Sequence, residues 1–330
     1  MARLRLTLAC GDYDRTRALE EATVLPDGIE LTYLRLPVEE TFFRMTRHRE
    51  FEVAELSLST YVLSLRMDPP PFVALPVFPS RMFRHGCVYV NVAAGIESPE
   101  DLVGKLVGTP EYQLTAGVWI RGILADHHRV PPDSVTWVVG GQERPGRPEK
   151  LALDLPERIE VQRIPDGMTL SAMLVDGGID ALCTPRLPSP FVQRDPRVRR
   201  LFPDVVKAER AYFAATGLFP IMHVVVVRRD VYQAYPWVAQ SLTKAFELAK
   251  AEAAERLYDS SALPFMLPWL TQQLEQAREL LGDDYWSYGL EANRDTLATF
   301  LRYHHEQGLS PRRLRPEELF APEATESAVI

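Results

Sequence analysis

The chain has 330 residues, 46% of them hydrophobic and 25% charged, which fits a folded protein of one large or two moderate domains and excludes disordered and fibrous classes. Its formal net charge of -8, with no basic run, excludes a general nucleic-acid binder, because neutralising phosphates needs a cationic face. Three widely separated cysteines, Cys10, Cys87 and Cys183, form no C-x-x-C pair and read as free thiols of a reducing cytoplasm.

From the N-terminus, MARLRLTLAC has the small residue before Cys of a lipoprotein signal, but its apolar stretch is short and Arg5 interrupts it. It therefore reads as a first strand, Leu4–Ala9, followed by the loop CGDYDR and a helix over TRALEEA. Ile29–Leu34 is a second strand, and VEETFFRMTRHREF has helical apolar spacing. FEVAEL is a short strand running into the helix SLSTYVLSLRM, with Ser57 or Ser59 as its cap. The segment PFVALPVFPSRMFRHGCVYVNV reads as strand and core, yet it carries Arg81, Arg84 and His85.

KLVGTP and EYQLTAGVWIRGILADHH repeat strand and helix, with Thr115 as cap, and VTWVVGG is another strand. Residues 140–158, GGQERPGRPEKLALDLPER, are rich in proline and charge and read as an exposed excursion. IPDGMTLSAMLVDGGIDALCTP is a helix capped near Asp166, a Gly-Gly turn and a strand. HVVVVR is a buried strand, and the chain beyond it is helical: PWVAQSLTKAFELAKAEAAERLY, PFMLPWLTQQLEQARELLG and NRDTLATFLRYHHEQGL, with a loose tail PEATESAVI. No apolar run approaches the roughly 18 residues of a membrane helix. Strands alternating with helices imply parallel sheets flanked by helices.

LVDGGIDAL resembles the L-x-x-G-x-I-D-A element of type II periplasmic binding proteins, and DLVGKLVGTPEYQLTAGVWIRGIL resembles the opening of their second lobe. The implied fold is α/β and two-lobed, with a ligand cleft between lobes and a helical C-terminal part. Lobe 1 would hold residues 1–88 and 225–330, and lobe 2 residues 89–224, with a hinge near Val88–Val92 and Val224–Val227. The strings CGDYDRTRAL, EFEVAELSLSTYV, LPVFPSRMFRH, GTPEYQLTAGVWIRGIL, IPDGMTLSAML, TGLFPIMHVVVVRRDVY and LEANRDTLATFLRYHHEQGLS run nearly end to end, and by them the chain resembles, within that fold, the 4,5-dihydroxyphthalate decarboxylase family.

That resemblance implies loss of one carboxylate from 4,5-dihydroxyphthalate, leaving protocatechuate and CO2, and brings no organic cofactor. A substrate with two carboxylates needs paired cations when it is buried, and arginine's planar fork supplies them, so Arg81 and Arg84 are the expected clamps. Helix N-termini carrying Asp12, Tyr13 and Arg15, then Ser57 and Ser59, then Gln113 and Thr115, then Asp166 are further candidates for binding substrate, each of which is otherwise a turn or cap residue. The chemistry needs a hydroxyl ortho or para to the departing group, and an acid that protonates the ring carbon. His223 and His85 stand in apolar surroundings, and Glu55 is a carboxylate in a buried strand, so these three are the catalytic candidates. A core histidine and a structural ion pair are the competing readings. His48, His127, His128, His304 and His305 lie on predicted amphipathic helices, where solvated or packed roles are expected, and Arg121 reads as a surface charge.

Adjacent histidine pairs point to different faces of a helix, so no ligand spacing supports a metal and none is expected. The expected partner is a small aromatic carboxylate, with neither nucleic acid nor membrane, and the apolar C-terminal helices fit a homodimer. The competing function is a solute-binding protein feeding a transporter, which would share the fold and the anion clamp.

Overall fold

The computed structural model describes residues 3–325. Among the described residues eleven strands run in chain order: β1 (Leu4–Cys10), β2 (Ile29–Arg35), β3 (Val53–Ser57), β4 (Phe72–Arg81), β5 (Val88–Asn91), β6 (Leu106–Thr109), β7 (Thr136–Val139), β8 (Val161–Arg163), β9 (Ala181–Cys183), β10 (Val198–Arg200) and β11 (Ile221–Arg228). The described residues divide into two compact units, residues 3–81, 221–297 and 315–325 in the first and residues 82–220 and 298–314 in the second. The boundary expected at 88/89 and 224/225 falls instead where β4 ends and β11 begins, since Ile221 pairs with Arg81 in one sheet. Residues 298–314 group with the second unit because Phe300 and Tyr303 pack on Trp119, with ring centroids 5.6 and 5.7 Å apart. Gly122 makes that packing possible, since a Cβ there would run into the Tyr303 ring.

The sheet of the first unit has the order β2-β1-β3-β11-β4. β1 is parallel to β2 and β3, which requires crossover connections, supplied by the helices Asp14–Glu20 and Val38–His48. β11 returns antiparallel between β3 and β4. Its run Val224–Val227 is wholly buried, and successive strand side chains face opposite ways, so this strand is covered on both faces. Between Leu75 and Ser80, β4 loses register with β11, and Pro76 and Pro79 sit in that interruption, where the missing N–H groups cost the ladder nothing. The loosened carbonyls find other donors: Gly289 N–H for Pro76, the Trp286 indole for Phe78 and the Arg15 guanidinium for Pro79.

The sheet of the second unit has the order β10-β5-β9-β6-β7-β8. Taken as β7-β6-β9-β5-β10, it repeats the plan of the first, with three parallel strands, an antiparallel fourth and an outer strand antiparallel to that; β8 extends the far edge. Its core gathers Tyr89, Val138, Leu170, Leu174, Ile179, Leu182 and Val198.

Among the C-terminal helices, Val238–Leu257 matches its apolar spacing, but the next begins only at Leu270, since Pro264 and Pro268 interrupt the stretch expected to be helical. Leu263, Phe265, Met266, Leu267 and Trp269 lie exposed in that interruption. In the expected loose tail, Pro322–Thr325 forms a short helix and residues 326–330 lie outside the described residues.

Candidate active site

In the first unit, β1 ends at Cys10 and the chain folds back through Gly11 and Asp12 to Tyr13, which stands at the N-terminal end of the helix Asp14–Glu20. A Cβ on Gly11 would come within 2.8 Å of the Tyr13 ring, so only glycine lets the ring lie over this turn. The fold-back points the Tyr13 hydroxyl at Glu55 in the neighbouring strand β3. Glu55 is completely buried, and an ionised carboxylate there is costly unless donors surround it. They do. Its Oε1 accepts from the Tyr13 hydroxyl at 2.7 Å and lies 2.5 Å from His223 Nδ1, while its Oε2 accepts from the Gly11 N–H at 2.9 Å and meets the Cys10 thiol at 3.6 Å.

Burial alone pushes the Glu55 carboxyl up, but His223 and the hydrogen bonds from His223, Tyr13 and the Gly11 amide outweigh it and hold the carboxyl below its usual value. The Tyr13 phenol is pushed well up, by burial first and by Glu55 second, and the Cys10 thiol moves the same way for the same two reasons. Both therefore stay protonated as donors. Tyr33 backs the turn, donating to the Gly11 carbonyl at 2.9 Å and meeting the Thr16 hydroxyl at 2.9 Å.

His223 reaches Glu55 because β11 and β3 are antiparallel: His223 pairs with Ser57 and Val225 with Glu55, so the two side chains are diagonal neighbours on one face. An ionised Glu55 fixes a proton on Nδ1 and leaves Nε2 as the ring's reactive nitrogen. The imidazole is only 17% exposed, and Phe42 meets it edge-on, 4.9 Å between centroids.

Arg15 does not point into open space. Its guanidinium lies between the rings of Tyr13 (4.2 Å) and Trp286 (4.3 Å) and donates to Pro79 O at 2.5 Å. Asp12 is exposed, 3.5 Å from Arg35. Ser57 and Ser59 are buried, and Ser57 occupies the cap position of Leu58–Ser64 as expected, without a side-chain hydrogen bond to the first turn. Arg81 is buried and donates to Ser287 O at 2.6 Å and to Asn293 Oδ1, contacts that tie residues 287–293 to the end of β4. Burial brings its guanidinium down to about 10, which still leaves it charged near neutrality.

Arg84 and His85 belong to the second unit, so Arg81 and Arg84 fall on different units. Arg84 Nη1 lies near Met82 Sδ (3.4 Å) and Cys87 Sγ (3.7 Å). His85 is buried beside Phe202 and Tyr212, each 5.2 Å away, with Nδ1 unpartnered. Burial, then His128 and His127, bring its imidazole down to about 4, so it is neutral near pH 7.

Gln113 donates to Glu149 Oε2 (2.7 Å) and Leu151 O (3.0 Å). Thr115 is the first residue of Thr115–His128, and Leu114 holds the cap position without a side-chain bond. Asp166 is exposed, and the cap of Leu170–Asp176 is Thr169, whose hydroxyl accepts from the Ala172 N–H at 3.3 Å. The cap falls one residue before Thr115 and three after Asp166, because several polar residues stand within one turn of each helix start.

The excursion over 140–158 is exposed over much of its length, as expected, but several of its side chains turn back onto the unit. Glu149 accepts from the Tyr112 N–H at 2.5 Å, Glu143 accepts from the Ser171 and Ser189 hydroxyls at 2.7 and 2.6 Å, and Arg147 and Lys150 reach Glu111 at 2.7 and 2.6 Å. Arg121, expected at the surface, is buried: it stacks over Tyr112 at 3.9 Å and donates to Gln307 Oε1 and Tyr112 O at 2.7 and 2.6 Å. Its neighbours Trp119, Ile120, Ile123 and Leu124 leave that turn of helix no polar face, which was the available signal. Cys10, Tyr33 and Phe42 were also missed, since they act through contacts distant in sequence. Among the described residues no group of three or more His, Cys, Asp or Glu converges as metal ligands would.

Two similarly ordered α/β sheets, each with an antiparallel fourth strand, define a type II periplasmic binding protein-like fold. A periplasmic sulfonate-binding protein from Methylobacillus flagellatus shares that fold over 98% of this chain and 93% of its own, with a TM-score of 0.54 and 12% identity. No family model matches the chain. A 4,5-dihydroxyphthalate decarboxylase from Comamonas testosteroni is 45% identical over 330 residues, 100% of both chains, and one from Pseudomonas putida is 44% identical over 215 residues, 65% of this chain and 83% of its own. The chain belongs to the 4,5-dihydroxyphthalate decarboxylase family.

Proposed function

We propose that this protein decarboxylates 4,5-dihydroxyphthalate to protocatechuate and CO2, with His223 as the proton donor and Glu55 as the group that orients it. The observation that carries the residue roles is the buried Glu55 carboxylate 2.5 Å from His223 Nδ1, with the Tyr13 hydroxyl on the same oxygen. In the doubly protonated ring, Nε2–H gives its proton to the ring carbon that bears the departing carboxylate. The hydroxyl para to that carbon pushes electrons in as it loses its own proton. The C–C bond then breaks, its electron pair restores the aromatic ring as CO2 leaves, and the oxygen regains a proton. One proton is consumed per turnover, and His223 recovers it from solvent.

Glu55 serves this step by fixing the tautomer and by compensating the charge on the ring before the transfer. Tyr13 and the Gly11 amide hold the carboxylate still. A protein that only binds solutes needs donors but gains nothing from a buried carboxylate and imidazole pair, which favours the enzyme reading. Cys10, Cys87 and Cys183 are all free and buried, which suits a reducing cytoplasm, and no helix among the described residues is long and apolar enough to cross a membrane.

The test is incubation of the purified protein with 4,5-dihydroxyphthalate in D2O while product and CO2 are followed. Protocatechuate with deuterium at the vacated ring position is the expected product. Tight binding without any CO2 would sink the enzyme reading and leave a solute-binding protein.

A further inference from the structure

A groove of about 440 Å3 opens in the first unit between Gly11–Tyr13 on one side and Arg35–Val38 on the other. It lies at the carboxyl ends of the parallel pair β1 and β2, where Cys10 and Arg35 are register partners. In open α/β sheets that end is where ligands sit. Its size suits one substituted aromatic ring. Both walls lead to the Glu55 cluster: Gly11 and Tyr13 hold Glu55, and Val38 stands one helical turn before Phe42, whose ring meets His223. A groove of similar size at Pro69–Pro71 is lined by none of these residues.

Arg35 is the cation among the residues that line this groove. It is held loosely, 3.5 Å from Asp12 and 3.3 Å from Glu20, with its own side chain 54% exposed. Pairs of that kind contribute little and exchange partners readily. Arg81, by contrast, is buried and engaged by Ser287 and Asn293.

We propose that Arg35 is the specificity-determining residue for dicarboxylates: it pairs with the carboxylate that stays on the ring, and Asp12 is the internal stand-in which that carboxylate displaces. The inference rests on the decarboxylase reading for the identity of the substrate. It also explains an exposed aspartate in a groove that receives a dianion, since Asp12, together with Glu20, neutralises the guanidinium and must give way when substrate enters. The displaced Asp12 then opposes the dianion, so removing its charge helps binding.

Arg35→Gln and Asp12→Asn break the same ion pair, so a purely structural pair would make them behave alike. The inference demands opposite signs. Arg35→Gln should raise KM for 4,5-dihydroxyphthalate by about 10- to 100-fold with kcat within about threefold, and Arg35→Lys should fall between it and the wild type. Asp12→Asn should lower KM. Calorimetric binding of phthalate and benzoate gives a second readout that does not depend on turnover: the wild type should prefer phthalate, Arg35→Gln should lose that preference and Asp12→Asn should keep it. The two variants moving KM in the same direction, or an intact phthalate preference in Arg35→Gln, overturns the assignment. Absence of turnover in the wild type counts against the decarboxylase reading alone, because the phthalate and benzoate comparison still decides the role of Arg35.

Discussion

Glu55 in the first unit and Arg121 in the second are both shut away from solvent, and their partners differ in kind. The carboxylate is met by donors that include a titratable imidazole, which is itself partly exposed. The guanidinium is met by a backbone carbonyl, a side-chain amide and the faces of Tyr112 and Trp137, none of which changes charge near neutrality. Its Nη1 has no hydrogen-bond partner, and burial pulls the group down from its usual value. A buried charge with a proton-exchanging neighbour can do chemistry. One with fixed neighbours can hold a structure: Gln307 also donates to Val118 O at 2.9 Å, and Tyr112 donates to Gln307 O at 3.2 Å, so Arg121 closes a clamp between the helix Thr115–His128 and residues 298–314.

The sharpest way to break this contrast is to keep shape and remove charge at the first site. His223→Gln and Glu55→Gln should each lower kcat by about 10²- to 10⁴-fold while binding of phthalate stays within about threefold. The double variant should be no worse than about the poorer single one, because the two side chains act as a unit. Near wild-type turnover in folded His223→Gln protein would remove it from the mechanism.

At the second site the expected loss is of stability. Arg121→Ala strands the Tyr112 carbonyl and the Gln307 amide oxygen and opens space beneath Tyr112, so chemical denaturation should show a loss of about 2 to 4 kcal/mol. Arg121→Met keeps the stem and removes the charge, and should recover part of that loss. Turnover per folded molecule should stay within about twofold in both. A large fall in kcat with unchanged unfolding would show that Arg121 belongs with the chemistry after all.

The two sites were unequally legible. Glu55 stood out as a charge inside the short strand Val53–Ser57, and His223 as a polar residue beside a run of valines, so composition along a strand marked both. Their mutual contact was not readable, because it depends on β11 returning antiparallel beside β3 from 168 residues away. The alternation of strand and helix indicated two-sheet α/β architecture, but strand order could not be deduced from it, since the returning strands pair across long separations. The burial of Arg121 was not legible because a charge on a helix ordinarily marks a wet face, and nothing local distinguishes Arg35 from other arginines at strand ends.

The smallest expected effect also sharpens the contrast, because His85 in the second unit is a titratable group whose charge is opposed by burial and by two other imidazoles, the Glu209 carboxylate being engaged by the neighbouring Gly86 N–H. Phe202 and Tyr212 flank it, and His127 and His128 add repulsion to the cost of charging it, which brings its imidazole from 6.5 down to about 4. The unfolded chain therefore takes up a proton near pH 6.5 that the folded chain refuses until about pH 4, so stability falls as pH drops through that window. The loss reaches about 3 kcal/mol by pH 4 and is complete only below it. His128, also lowered by burial, works in the same direction. Glu55 works in a different range: its carboxyl is held below its usual value, so its contribution is complete above the carboxylate range and is lost only as pH falls through it. Urea unfolding of wild type and His85→Gln at pH 7, 6, 5 and 4 separates the two, because the variant lacks only the His85 share. The difference between them should change steadily from pH 7 to pH 4, in the sense that the wild type loses more. A constant difference would mean that His85 charges as easily in the folded chain as outside it.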